Sequence, residues 1–271
     1  MNNKIYCSTG TFIGRVNNRN YKLFLENHAR INCDGFEFMI FPGWYDELDD
    51  ITDGIVSEKI NVPVVHSDKK IGDMLSDSKD NGMDECIRIW KLNCAAAVKV
   101  GAEKIVTHMW GIPNSDRDID VIIENVGKLK RIAEEYGLIF LGENCCCVNQ
   151  SPLVHFPKIL ECYNDFSFII DTRTAQFHNE LDKITNLDMI WNGAVKHIHI
   201  SDFHGTFGDF SSLYPILAPG KGDIDWDMFF SNLKRNNYDN SITLESPTMR
   251  PDHVDADEIN ANLEFIREHI R

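Results

Sequence analysis

The 271-residue sequence lacks any uninterrupted apolar run near the roughly 18 residues that a membrane-spanning helix needs. Its amino-terminal stretch, MNNKIYCSTGTF, also lacks the apolar segment of a signal peptide, which predicts a cytoplasmic protein. No CxxC pair occurs among the eight cysteines. We therefore expect reduced thiols and not a disulfide framework.

Basic residues are few. Lys and Arg total 27 against 42 acidic residues, and the net charge is −15. Because binding to phosphates needs clustered basic side chains, this balance opposes nucleic acid as the main partner. We expect instead a small neutral or metal-chelated substrate. A glycine-rich phosphate turn is missing too, since STGTFIGR after the first predicted strand has only scattered glycines, which disfavours an open dinucleotide-binding sheet.

What the sequence does have is a regular alternation of short apolar runs and longer amphipathic stretches, repeated about eight times. The predicted strands are KIYCST, GFEFMI, VPVVHS, KIVTHM, LIFLGE, FSFIID, VKHIHI and SITLE. Two clear amphipathic helices between them are expected to end at Gly101 and Gly137. This pattern, without an internal linker, predicts one domain over residues 1–271, folded as a single (β/α)₈ TIM barrel.

Four polar side chains stand at the carboxyl ends of predicted strands: Glu143, Asp171, His199 and Glu245. An unpaired carboxylate beside an apolar strand is costly, and three carboxylates with one imidazole suit a divalent cation. We therefore predict that these four residues bind one metal ion. The absence of a thiolate from the set favours Mn²⁺, with Mg²⁺, Co²⁺ and Zn²⁺ as alternatives.

The segments DGFEF, VVHS, VGAEKIVTHMWG, GENC, IIDTRTA, HIHISD, PGKGDIDW and LES resemble, in order and spacing, the xylose isomerase-like barrel superfamily. The resemblance is to its branch of sugar phosphate isomerases/epimerases and endonuclease IV, and it implies the same four metal ligands. It also implies that His66 and His108 face a substrate or a metal. Endonuclease IV relatives hold three zinc ions, but Thr174, Tyr214 and Ile216 stand where three of those ligands would be. The resemblance therefore favours the sugar enzymes.

Such a site would isomerise or epimerise a sugar, sugar phosphate or related polyol through an enediolate intermediate. Glu143 and Glu245 are predicted to act as the acid/base pair, with the metal offsetting the negative charge that develops. The residues expected to contact the carbohydrate are His66, His108, Trp110, Glu37, Arg173 and Lys221. Dehydration of an inosose-type substrate, phosphodiester hydrolysis and ligand binding without turnover are the alternatives.

Two further expectations concern partners. A phosphate on the substrate would be held in the loops after the seventh and eighth strands, by Lys221, Gly222 or Arg250. Homo-oligomers are frequent among proteins of the family that the sequence resembles, so a homo-oligomer is an open alternative to a monomer.

Overall fold

The computed structural model describes residues 3–77, 82–112 and 114–271. Within these ranges eight parallel strands pair in sequence order and close into a barrel, which confirms the predicted (β/α)₈ fold. The strands are β1 Ile5–Ser8, β2 Gly35–Met39, β3 Val64–His66, β4 Lys104–His108, β5 Ile139–Glu143, β6 Phe168–Asp171, β7 Val195–Ile200 and β8 Ser241–Leu244. They are short and mostly buried, as expected for parallel strands whose outer faces are covered by helices.

Helices connect the strands and cover the barrel. They are α1 Lys22–Asn27, α2 Leu48–Ser57, α3 Lys70–Ser76, α4 Gly82–Lys99, α5 Ile119–Glu135, α6 Pro152–Cys162, α7 Thr172–Phe177, α8 Leu181–Thr185, α9 Asp188–Trp191, α10 Trp226–Arg235 and α11 Ala256–Ile270. Gly101 and Gly137 follow α4 and α5 with φ angles of 77° and 76°, which confirms the two predicted helix ends, because glycine adopts this left-handed conformation without strain. In the described parts of the chain, none of these helices has the length and apolarity that crossing a membrane requires.

An inner hydrophobic layer closes the barrel beneath its open end. It consists of Tyr6, Val64, Val106, Leu141 and Ile169. Side chains two positions apart on a strand point to the same face, so the next inward positions on β3 to β6 stand one layer higher. Those positions carry His66, His108, Glu143 and Asp171. The polar residues therefore lie above an apolar plug, at the end of the barrel where the strands finish.

Candidate metal centre

The barrel brings the four predicted metal ligands together. Ligand atoms of Glu143, Asp171, His199 and Glu245 all lie within 4.8 Å of one another. Asp171 pairs with His199 across β6 and β7, and His199 pairs with Thr243 across β7 and β8, two residues before Glu245. Because adjacent strands lie about 4.8 Å apart, this register places the four side chains within reach of a single ion.

His199 is oriented by carboxylates on both sides of its ring. Its Nδ1 atom lies 3.3 Å from Oε1 of Glu143 and 3.1 Å from Oε2 of Glu245. Its Nε2 atom donates to Oε2 of Glu37 at 3.1 Å, and His197 contacts the same oxygen at 2.9 Å. A metal-binding imidazole commonly donates its second nitrogen to a carboxylate, which fixes the ring. Glu37 is fully buried behind the two histidines, so the structure places it away from the cavity wall, where a substrate contact was predicted.

Negative charge exceeds positive charge among these buried groups. Burial raises the pKa of Asp171, and the nearby Glu143 and Glu245 raise it further. Burial also opposes ionisation of Glu143, but His108 and His199 hold its pKa well below the ordinary value. Burial lowers the pKa of His199, yet the surrounding carboxylates outweigh it and raise that pKa well above its ordinary value. A cation at this point would relieve the repulsion, so the donor set fits a divalent metal.

Asp171 also caps a helix. Its Oδ1 atom accepts a hydrogen bond from the backbone N–H of Thr174 at 2.6 Å, at the start of α7. Its own backbone N–H donates to Oδ1 of Asn144, a neighbour on the loop after β5. Capping uses one carboxylate oxygen, and the other is free to serve as a ligand.

A second group of potential ligands adjoins the first and shares Glu143. Ligand atoms of His66, His108 and Glu143 lie within 4.8 Å of one another. The Nε2 atoms of His66 and His108 are 3.1 and 3.2 Å from Oε2 of Glu143. His66 is fully buried, and its Nδ1 atom donates to the carbonyl of Ser67 at 2.8 Å, whereas His108 is half-buried and lines the cavity. Of the two predicted substrate contacts, His108 is thus the one that a ligand in the cavity can reach.

The four predicted ligands lie at the floor of a cavity of about 650 Å³ at the carboxyl ends of the strands. This volume is in the range of roughly 300–1,000 Å³ that small-molecule sites occupy. Trp110 and Arg173, both predicted to contact substrate, line the cavity. The indole of Trp110 is buried and donates to the carbonyl of Cys146 at 3.0 Å, which fixes it as part of the wall.

Lys221 is exposed and lies outside this cavity, contrary to its predicted place in the site. The PGKGDIDW segment folds back over Asp202, whose Oδ2 atom accepts from the indole of Trp226 at 2.9 Å. A Cβ atom at Gly222 would lie 2.4 Å from the carbonyl oxygen of Phe203, so the turn is tight against the loop after β7.

Three basic residues that were not predicted as site residues also line the cavity: Arg15, Arg19 and Lys69. Nζ of Lys69 lies 3.7 Å from Oε1 of Glu245. Lys69 follows the end of β3 by three residues in VVHSDKK, and a loop directly after a barrel strand is where functional groups are expected. Arg250, in contrast, pairs with carboxylates near the start of α11 and is not part of the wall.

Asp116 anchors the loop that carries residues 145–147 along the cavity. Its carboxylate accepts from the N–H groups of residues 148–150 at 2.8, 2.9 and 2.8 Å, and from Nε2 of His155 at 2.9 Å. Asp116, Cys147 and His155 also form a group with metal-ligand atoms within 4.8 Å. The carboxylate already has its hydrogen-bond partners, and burial raises the pKa of the Cys147 thiol, so we assign this group a structural role.

A histidine that contacts the same loop, His178, should make the stability of the protein depend on pH. The backbone N–H of Cys147 donates to Nε2 of His178 at 3.0 Å, which requires a neutral imidazole. Burial lowers the pKa of His178 from 6.5 to about 4. Between these values the unfolded chain takes up a proton that the folded protein does not, so the free energy of unfolding should fall as the pH drops. Urea unfolding near neutral pH and at about pH 5 measures this loss, and His178→Gln should reduce it. An equal loss in the variant would contradict the assignment.

The fold and the cluster together define a (β/α)₈ barrel with a candidate metal centre at its carboxyl end. The chain belongs to the xylose isomerase-like TIM barrel family, whose model matches residues 25–269. The family predicted from the sequence is therefore confirmed.

Solved structures share this fold over nearly the whole chain. A 3-keto-D-glucoside 4-epimerase, YcjR, from E. coli is 17% identical with a TM-score of 0.65, covering 98% of this chain and 99% of its own. D-allulose 3-epimerase from Methylomonas sp., in complex with D-allulose, is 14% identical with a TM-score of 0.72 and coverages of 99% and 97%. The IOLI protein with a bound zinc atom is 19% identical with a TM-score of 0.74 and coverages of 98% and 98%. At these identities the likeness is one of fold.

Proposed function

We propose that this protein is a divalent-metal-dependent isomerase or epimerase of a sugar, sugar phosphate or related polyol. The observation that carries the proposal is the convergence of Glu143, Asp171, His199 and Glu245 within 4.8 Å at the floor of a sugar-sized cavity. Relatives of the same fold that are described as epimerases of D-allulose and of a keto-glucoside support it.

The proposed chemistry is proton transfer between adjacent carbons of the substrate. When bound, the metal would polarise the substrate carbonyl and offset the charge on its oxygen, and Mn²⁺ is favoured by the carboxylate-rich donor set. Glu143 and Glu245 flank Nδ1 of His199 and would act as acid and base. Burial opposes ionisation of Glu245, but His199 and Lys69 hold its pKa at about 2, so this carboxylate is ionised.

Metal analysis gives the first test. We expect one divalent ion per chain and loss of turnover on chelation. Because an ion that binds only the folded state stabilises it by about 2.7 kcal/mol at a hundredfold excess over its Kd, chelation should lower the melting temperature by roughly 5–10 °C. Elemental analysis and thermal unfolding with and without Mn²⁺ measure both effects.

His199→Gln is the matched variant for that test. Removal of the imidazole should abolish most of the metal-dependent shift in melting temperature, while Gln at the exposed His253 should leave it unchanged. A wild-type protein that binds no ion and shows no shift would contradict a metal centre at these four residues.

A panel of ketoses, aldoses and inososes tests the reaction. An epimer or isomer as product supports the proposal, whereas loss of water from an inosose, seen by mass spectrometry, identifies the dehydratase alternative. Both reactions begin with the same proton abstraction and differ in whether a β-hydroxyl leaves.

One observation favours phosphodiester hydrolysis as a second candidate. His66 and His108 adjoin the metal cluster through Glu143, in an arrangement that could hold a second ion. Against it, Thr174 and Ile216 line the cavity at positions where endonuclease IV relatives have metal ligands, and the chain has a net charge of −15. Two or more zinc ions per chain, together with cleavage of a duplex containing an abasic site, would replace the isomerase proposal.

A further inference from the structure

Basic side chains are concentrated around the cavity above the candidate metal centre, although the protein as a whole is acidic. Among the residues that the structure describes, four basic side chains line it: Arg15, Arg19, Lys69 and Arg173. The carboxylates of the cavity and its floor are Asp73, Glu143, Asp171 and Glu245. Glu37 lies behind His199 and adds a fifth carboxylate. A divalent ion bound at the floor would then leave one positive charge in excess, on a chain whose net charge is −15.

Arg173 has unused hydrogen-bonding capacity. Its Nη1 atom donates to the carbonyl of Leu213 at 3.3 Å, and its Nε atom is buried without a partner. Within the residues that the structure describes, the guanidinium forms no ion pair, although a guanidinium offers five N–H donors in a planar fork. A buried donor without a partner is costly, so this geometry favours a ligand that accepts hydrogen bonds from Arg173.

Lys69 approaches the same space from the loop after β3. Its side chain is half-exposed, and its Nζ atom lies 3.7 Å from Oε1 of Glu245. When Glu245 serves as a metal ligand, its charge is shared with the ion, and Lys69 is then free to bind an anion.

We propose that the substrate carries an anionic group, a carboxylate or a phosphate, which Arg173 binds and Lys69 assists. This inference rests on the proposed function for the statement that the substrate is a polyol. It narrows the small neutral or metal-chelated substrate expected from the composition to one with an anionic group, because basic side chains gather around this cavity and Arg173 has a buried donor without a partner. A guanidinium fork matches the paired oxygens of either anion, so both are retained as sources of the charge.

The test compares matched ligands on the Mn²⁺-loaded protein by isothermal titration calorimetry at low ionic strength. The ligands are D-fructose, D-fructuronate and D-fructose 6-phosphate. We expect at least one acidic ligand to bind roughly ten- to hundredfold more tightly than the neutral sugar, as charge-assisted hydrogen bonds allow. Whichever acid binds more tightly identifies the carboxylate or the phosphate as the preferred group.

Arg173→Gln should remove most of this preference, because it should weaken the binding of the acidic ligand far more than the binding of D-fructose. Arg173→Lys should restore part of it, because the charge returns without the fork. Arg88→Gln is the matched control: Arg88 is exposed on α4, outside the cavity, and pairs with Glu85, so its loss should not alter the preference. If the Arg173 variant does not fold, Lys69→Gln gives an independent test, because it should also reduce the preference for acidic ligands over D-fructose.

Equal binding of neutral and acidic ligands by the wild type would overturn the inference, as would an Arg173→Gln variant that weakens both alike. Turnover of neutral polyols without any preference for acids would support the proposed function and reject the anion. A protein that turns over no polyol could still bind acids preferentially and lose that preference in Arg173→Gln. This outcome would support the anionic ligand and reject the proposed isomerase function.

Discussion

Replacing Glu143 or Glu245 by Gln is expected to reduce turnover by roughly 10²- to 10⁴-fold, the range that positioned acid–base groups contribute. Gln retains an oxygen that can bind a metal but cannot take up a proton at neutral pH. Each variant should therefore stay folded and bind Mn²⁺, with weaker affinity because a charge is lost. Steady-state rates, metal content and circular dichroism measure these three properties.

Exchange of substrate hydrogen with deuterated solvent can separate the roles of the two glutamates. If the carboxylates work from two sides of the substrate, each variant retains one base. Glu143→Gln should then exchange deuterium into only one of two epimers, and Glu245→Gln only into the other. The matched control is Glu85→Gln, which changes an exposed carboxylate on α4 and should leave rates and exchange unchanged. Full turnover in both cavity variants would contradict the acid/base assignment.

The barrel could be predicted from the sequence because each of its strands is a short apolar run bounded by polar turns. All eight predicted runs coincide with strands, from KIYCST at β1 to SITLE at β8. The two helices expected to end at Gly101 and Gly137 are also present as α4 and α5. The short helices α7, α8 and α9 were not predicted individually, since segments of four to six residues have no measurable 3.6-residue period.

The convergence of the four candidate ligands was predictable because they stand at strand ends. Parallel strands finish at one end of a closed barrel, so Glu143, Asp171, His199 and Glu245 had to meet once the strand ends were located. The positions of loop residues are not fixed by the ends of the strands in this way. Lys221 was expected at the cavity, but the fold of its turn depends on contacts with Asp202, which local sequence does not specify.

Asp116 is the clearest example of a residue whose structural role cannot be predicted from local sequence. Its hydrogen-bond partners at residues 148–150 and His155 lie 32 to 39 positions further along the chain. No pattern near SDRD indicates that this aspartate would be buried, since neighbouring Asp118 and Asp120 have the same local composition. The three-dimensional path of the loop after β5 alone determines which of these carboxylates is enclosed.

Asp116→Ala is expected to destabilise the protein by about 3–5 kcal/mol, because it leaves several buried donors without an acceptor and each such loss costs about 1–3 kcal/mol. The change leaves three backbone N–H groups and the His155 imidazole without their acceptor. Burial opposes ionisation of Asp116, but these donors hold its pKa at about 2, so the carboxylate is charged and the loss applies throughout the neutral range. Urea unfolding at neutral pH measures the free energy of unfolding.

Two variants make that measurement specific. Asp116→Asn keeps one acceptor oxygen and should lose less stability than the alanine variant. Asp120→Ala removes an exposed carboxylate that pairs with Lys158 on the surface, and it should cost no more than about 1 kcal/mol. Because Cys145 and Cys146 line the cavity on the loop that Asp116 holds, Asp116→Ala should also weaken sugar binding in the fraction that remains folded. If Asp116→Ala were no more destabilising than Asp120→Ala, the buried carboxylate would not be what fixes this wall of the site.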